Sequence, residues 1–146
     1  MPVPVAFNSE NGTCEQTVVV RRWLPEADPA LALNELFRGP TVADRQAGAS
    51  SIFSPRTAEL LRSVQVKSDT AYVDLSDAVR PRIGVAATSC GSVQFHRSVL
   101  ETLKPFGADK VVFAFDGSPR DFIEWGSGTC EGAAAATAQC DASGFK

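Results

Sequence analysis

Residues 92–115 read SVQFHRSVLETLKPFGADKVVFAF, and the two halves of this stretch carry different hydrophobic patterns. In the first half Val93, Phe95, Val99, Leu100, Leu103 and then Phe106 fall on one side, while Gln94, Arg97, Glu101 and Lys104 step by three, four and three along the outer face. The spacing predicts a helix over 92–104 with a single apolar stripe, finished by Pro105 and Gly107. KVVFAF (110–115) is apolar on both faces, which belongs inside a sheet covered on at least one side. A one-striped helix needs a sheet to lie on, so this stretch alone predicts helix packed on sheet.

Outward from it, the same signals recur. Val3–Asn8 is a short apolar strand, Asn11-Gly12 a turn, and TVVVRRW (17–23) a β-branched strand that pairs with the first as a hairpin. Asp28-Pro29 is a cap followed by proline at the first helical position; Ala30, Leu33, Leu36 and Phe37 then form one stripe, and Gly39-Pro40 stops the helix. Thr41 caps a further turn through Gln46, with Asp44 in the capping-box position. Ser54-Pro55 opens another single turn. Ser63–Lys67 and Thr70–Ser76 alternate and form a hairpin across Ser68-Asp69, and 77–91 is a long loop in which Cys90 serves as a tether. Asp121–Trp125 reads as a last strand, and the small-residue stretch after Gly126 as poorly ordered apart from its cysteines. The order predicts an α+β domain: a two-layer sandwich of a mixed sheet with two main helices on one side, spanning residues 1–130 with its core over 17–125, plus a tail, 131–146, tethered by cysteines.

Composition agrees with one compact domain. The 146 residues are 44% hydrophobic and 21% charged, an ordinary soluble balance. A net charge of −3 argues against nucleic acid as a partner, because phosphate contacts need a concentrated basic surface. No apolar run approaches the roughly 20 residues of a spanning helix, and MPVPVAF has neither the basic start nor the apolar core of a secretion signal. Cys14, Cys90, Cys130 and Cys140 are even in number and contain no CxxC, which favours two disulfides in an extracytoplasmic protein over a zinc or redox motif. Four cysteines allow three pairings, and the spacing does not choose among them. At least one bridge is expected to tie the tail back to the body.

An ordered set of motifs then stands out: a helix ending Leu36-x-x-Gly39-Pro40-Thr41, a strand reading Val73-Asp74-Leu75-Ser76, a helix containing Thr102-Leu103, and a strand running into Asp116-Gly117. In this order over residues 17–125 they resemble the GerMN domain, the sporulation and spore germination domain of bacterial envelope proteins. Two departures are visible. Ser68-Asp69-Thr70 stands where the family often has a glycine, which argues against a tight two-residue turn, and the insertion 78–91 with Cys90 is an elaboration. The resemblance implies a fold similar to the small α/β ring-building domains of sporulation and secretion assemblies. It also implies an extracytoplasmic protein, often a lipoprotein, that binds or scaffolds in the cell envelope. Its partner would be an envelope protein or peptidoglycan, and any membrane contact would pass through a lipid anchor outside these residues; the oligomeric state is left open.

Within that frame the polar turn after the Gly-Pro stop is the candidate binding shoulder: Arg38, Thr41, Asp44, Arg45 and Gln46. No catalytic, cofactor or metal site is predicted. Cys90 and His96 lie six residues apart on different helix faces, too far for a nucleophile and its base, and His96 reads as structural or surface. GVAATSCG (84–91) lacks the Lys-Ser/Thr ending of a phosphate loop. Asp77 and Asp121 read as loop solvation, Asp74 as a contact to a neighbouring loop or a backbone cap. The alternative function is a small cell-wall hydrolase, which would need a carboxylate pair converging from Glu35, Glu59, Glu101 and Glu124. Arg21 and Arg22 point to opposite faces of their strand, so at most one reaches a buried carboxylate.

Overall fold

The computed structural model describes residues Met1 to Lys146. Its strands fall into two sheets of three. In the first, β1 (Pro2–Ser9) lies between β2 (Thr17–Trp23) and the two-residue β3 (Ala49–Ser50), all antiparallel. In the second, β4 (Leu61–Lys67) pairs antiparallel with β5 (Thr70–Leu75), and β5 pairs parallel with β6 (Lys110–Phe115). The expected α+β architecture and mixed sheet are present, with the strands divided between two sheets instead of one. A helix pair bridges them. α1 (Pro29–Phe37) packs on β1 and β4, and α3 (Ser89–Leu103) packs on α1, β1 and β6.

Local chemistry explains most of these elements. Asp28 caps α1 by accepting from the Ala30 N–H, with Pro29 at the first position, and the stripe Leu33, Leu36 and Phe37 is buried. Pro2 and Pro4 sit on the half of β1 that has a partner strand on one side only, where a missing N–H costs little. The turn at Ser68-Asp69 does close in two residues, with Lys67 opposite Thr70 and Ser68 itself left-handed at φ 56°. The main core contains Val5, Phe7, Leu33, Phe37, Val73 and Val99 among others, and Val3, Leu24 and Ala32 form a small second cluster. Through it runs a file of rings: Phe37 to Phe53 at 4.9 Å, Phe53 to Phe95 at 5.7 Å, and Phe95 to Phe113 at 5.0 Å.

The C-terminal third departs from expectation. Asp121–Trp125 is a helix, not a strand: it belongs to α4 (Pro119–Trp125), capped by Ser118, whose hydroxyl accepts from the Asp121 N–H. Ser118-Pro119 is the same cap-and-proline signature that opens α1. α3 begins at Ser89, earlier than Ser92, and the preceding loop, 77–87, is wound into 3₁₀ turns. Nor is the tail merely tethered. Cys140 pairs with Cys130, the last residue before the tail, so this disulfide ties the tail back at its own root and closes a small loop; Cys14 pairs with Cys90, stapling the β1–β2 loop to the first turn of α3. Noncovalent contacts dock the tail as well. Phe145 stands edge-on to Tyr72 at 5.5 Å, Lys67 Nζ donates to the Gly144 carbonyl at 3.1 Å, and Gln139 Nε2 donates to the Val111 carbonyl on edge strand β6 at 3.3 Å. Tyr72 and Val112 alternate away from the core face, so this strap covers the second face of the parallel pair, which is why KVVFAF is buried from Val111 onward.

Candidate functional site

The shoulder is built where α1 stops. Gly39 is left-handed at φ 87°, Pro40 is buried, and Thr41 caps α2 (Val42–Gln46) through a complete capping box: Asp44 N–H donates to Thr41 Oγ1 at 3.1 Å and Thr41 N–H to Asp44 Oδ2 at 2.8 Å. Arg38, Thr41, Arg45 and Gln46 are exposed. Asp44 is not. It is buried at 7% exposure and gripped by Arg22 of β2, which donates from both terminal nitrogens, Nη1 to Oδ1 at 3.2 Å and Nη2 to Oδ2. Arg22 also lies 3.7 Å from Glu35, while exposed Arg21 stays outside, so one arginine of the pair reaches a buried carboxylate.

The Arg22 hydrogen bonds hold the Asp44 carboxyl below its ordinary 3.8, against the opposing pull of its own desolvation, and Asp44 correspondingly raises Arg22. Because the folded-state pKa of Asp44 is depressed, its contribution to stability is present above about pH 4 and is lost as pH falls from there through the folded value. Asp44→Asn is therefore expected to cost about 2 kcal/mol at neutral pH. Urea titrations of both proteins should show that difference shrinking below pH 3.8; a difference that does not depend on pH would remove the ion pair from the account.

The motif residues singled out in the sequence meet inside the fold. Asp74 Oδ1 accepts from the Gly117 N–H at 2.8 Å, and Asp116 Oδ1 accepts from the Asp77 N–H at 3.1 Å. Arg62 Nη1 stands 3.5 Å from Asp74 and 3.3 Å from Asp116. Thr102 Oγ1 accepts from the Ala6 N–H at 3.0 Å on the side of β1 that lacks a partner strand, and Leu103 is in the core. Buried Thr57 donates to the Phe37 carbonyl at 2.7 Å, closing the end of α1. Each of these groups satisfies backbone or joins elements. None faces a cleft.

The carboxylates brought together, Glu35 with Asp44 and Asp74 with Asp116, are each bridged by an arginine. A separate cleft between α3 and α4, of about 480 Å³, contains no Asp or Glu on its walls. His96 stands at its edge, open to solvent on one side and edge-on to Phe113 at 5.9 Å on the other; that partial desolvation, with the charge of Arg97, holds its pKa below the ordinary 6.5. No group of His, Cys, Asp and Glu side chains is arranged to hold a metal, and no cysteine is free. No helix is long and apolar enough to cross a membrane. The cleft is not legible in the sequence, because Phe122 reads there as part of a strand and Gln139 as part of a poorly ordered tail.

Fold and motifs together define a small disulfide-stapled α+β domain whose signature residues maintain the fold. The chain belongs to the Germane family, sporulation and spore germination, whose model matches residues 4–121. It is similar in fold to the first GerMN domain of the sporulation protein GerM from Bacillus subtilis, at 21% identity and a TM-score of 0.53, over 80% of this chain and 84% of that one. No curated protein matches the chain. The match begins within β1, so the first hairpin is part of the family domain and not a lead-in to it.

Proposed function

We propose that this chain is a non-catalytic binding or scaffolding module of the bacterial cell envelope, and that the β2 edge with the α2 shoulder is its partner-facing surface. The observation that carries the reading is the exposure of large apolar side chains on two elements clamped to each other by Arg22 and Asp44: Trp23 at 80%, Val19 at 57% and Val42 at 73%. β2 is also the outer strand of its sheet, with backbone groups available to a partner. Rigid support and open apolar area suit binding, whereas catalysis would need an unpaired acid or nucleophile in a cleft. Two disulfides and no free thiol fit an oxidising, extracytoplasmic setting, and a lipid anchor outside these residues is the tether this reading adds.

The test compares wild type with the double variant Trp23→Ser, Val42→Ser in cosedimentation with peptidoglycan sacculi and in cross-linking to envelope extract. A saturable partner in one assay, lost at least about tenfold in the variant at unchanged melting temperature, is expected. Retention by neither assay, full retention by the variant, or release of soluble muropeptides by the wild type would overturn it, the last in favour of a hydrolase.

A further inference from the structure

The cleft between α3 and α4 spans the end of the region that the family model matches. Phe95, Leu100 and Phe113 come from the matched region, which ends at residue 121; Phe122, Ile123 and Gln139 come from beyond it. The wall past residue 121 is held firmly. Cys130 and Cys140 close its loop, Gln139 is bonded to β6, and Arg120 Nη2 donates to the Cys130 carbonyl at 3.2 Å. The floor is aromatic, with Phe113 and Phe122 stacked at 4.9 Å and 29° and Phe95 adjoining both.

The polar groups at the cleft are all donors or neutral: Ser92, His96, Arg97 and Gln139, in a chain whose net charge is −3. Arg97 has one protein partner, Glu101, through a single 3.4 Å contact from Nη1, and its remaining N–H groups have no protein acceptor. The volume is that of a small-ligand pocket, and a half-open apolar cleft with a few convergent polar groups suits a ligand that leaves one edge in solvent. An aromatic floor selects a ring; a guanidinium whose one acidic partner, Glu101, reaches only Nη1 and is shared with Lys104 keeps donors for a carboxylate.

We propose that this cleft binds a mono- or bicyclic aromatic carboxylate, its ring against half-buried Phe122 and Ile123 above the buried Phe113 and its carboxylate at Arg97. His96 at the cleft edge supplies a hydrogen bond, and Arg97 supplies the charge. The ligand site lies on different elements from the proposed partner surface on β2 and α2, so either can fail without the other.

The probe is 1-naphthoate, titrated into the full chain and followed by backbone amide NMR. Saturable shifts confined to residues 92–100, 113, 122–123 and 139 are expected. Arg97→Gln should weaken naphthoate about tenfold while changing binding of neutral 1-naphthalenemethanol less than twofold. Val93→Trp, at a position 36% exposed on the cleft wall, should plug the site against both compounds, and Ser92→Trp is a second plug should the first disturb folding. The proposal is overturned by shifts that do not saturate, by shifts centred elsewhere, by plugged variants that bind as wild type does, or by an Arg97→Gln protein that holds naphthoate as tightly as before.

Discussion

Gly39→Ala is expected to lower the stability of this domain by roughly 2–5 kcal/mol, a large share of the 5–15 kcal/mol typical of a folded domain. Two penalties combine. At φ 87° any side chain carries the left-handed cost of about 1–2 kcal/mol. A Cβ there would also lie 2.6 Å from the Phe53 carbonyl oxygen and 2.8 Å from Ser54 Cα, both backbone atoms of the segment that closes the end of α1. Neither can swing aside, because Phe53 is wedged between Phe37 and Phe95 and the Ser54 N–H donates to Thr57 Oγ1. Gly48 supplies the control: its φ is 97° and nothing lies within 4 Å of its Cβ position, so Gly48→Ala should show the left-handed cost alone. Urea unfolding of both variants measures the contrast. Equal losses would mean that the close approach to Phe53 is relieved by movement and does not explain the glycine of the Leu-x-x-Gly-Pro-Thr motif.

Removing the Cys14–Cys90 disulfide is expected to cost about 4 kcal/mol and removing Cys130–Cys140 about 3 kcal/mol, because the entropy withheld from the unfolded chain grows with the length of the closed loop. The separations are 76 and 10 residues. The two losses should also differ in kind. The first bridge joins the β1–β2 loop to the start of α3, so its loss lowers the global unfolding transition; the second organises only the strap over β5, β6 and α4, so its loss should first increase hydrogen exchange around Tyr72, Val111 and Gln139. Double-serine variants compared by urea unfolding and amide exchange provide the measurement. A larger global loss from Cys130→Ser, Cys140→Ser would show the strap to be integral to the core. Thiol labelling of native wild type should find no reactive cysteine before reduction.

The elements with complete local signatures were legible. α1 carries a cap, a proline, a stripe and a glycine stop within a dozen residues, and the β4–β5 hairpin carries strict alternation on both sides of its turn. α4 was ambiguous because DFIEW holds apolar residues at both two- and three-residue spacing: Ile123 and Trp125 suggest a strand, Phe122 and Trp125 a helix. Contacts decide it, since Phe122 and Trp125 both pack on Phe115. The tail offered no pattern at all. Its run of alanines has no stripe, and what docks it is Gly144 and Phe145 against Tyr72 with hydrogen bonds from Lys67 and Gln139.

The shoulder shows the same division within a single residue. That Asp44 completes a capping box is a matter of three-residue spacing and could be read directly, but its burial depends on Arg22 arriving from another strand. By itself the sequence determined the architecture class, the family, the helix ends and the even set of cysteines, because periodicity, caps and ordered motifs act over short distances along the chain. Which cysteines pair, which carboxylate Arg22 meets, and that a cleft opens between α3 and α4 were decided only in the tertiary structure. Those outcomes depend on how closely segments far apart in the chain approach, and that is set by the packing of the whole core.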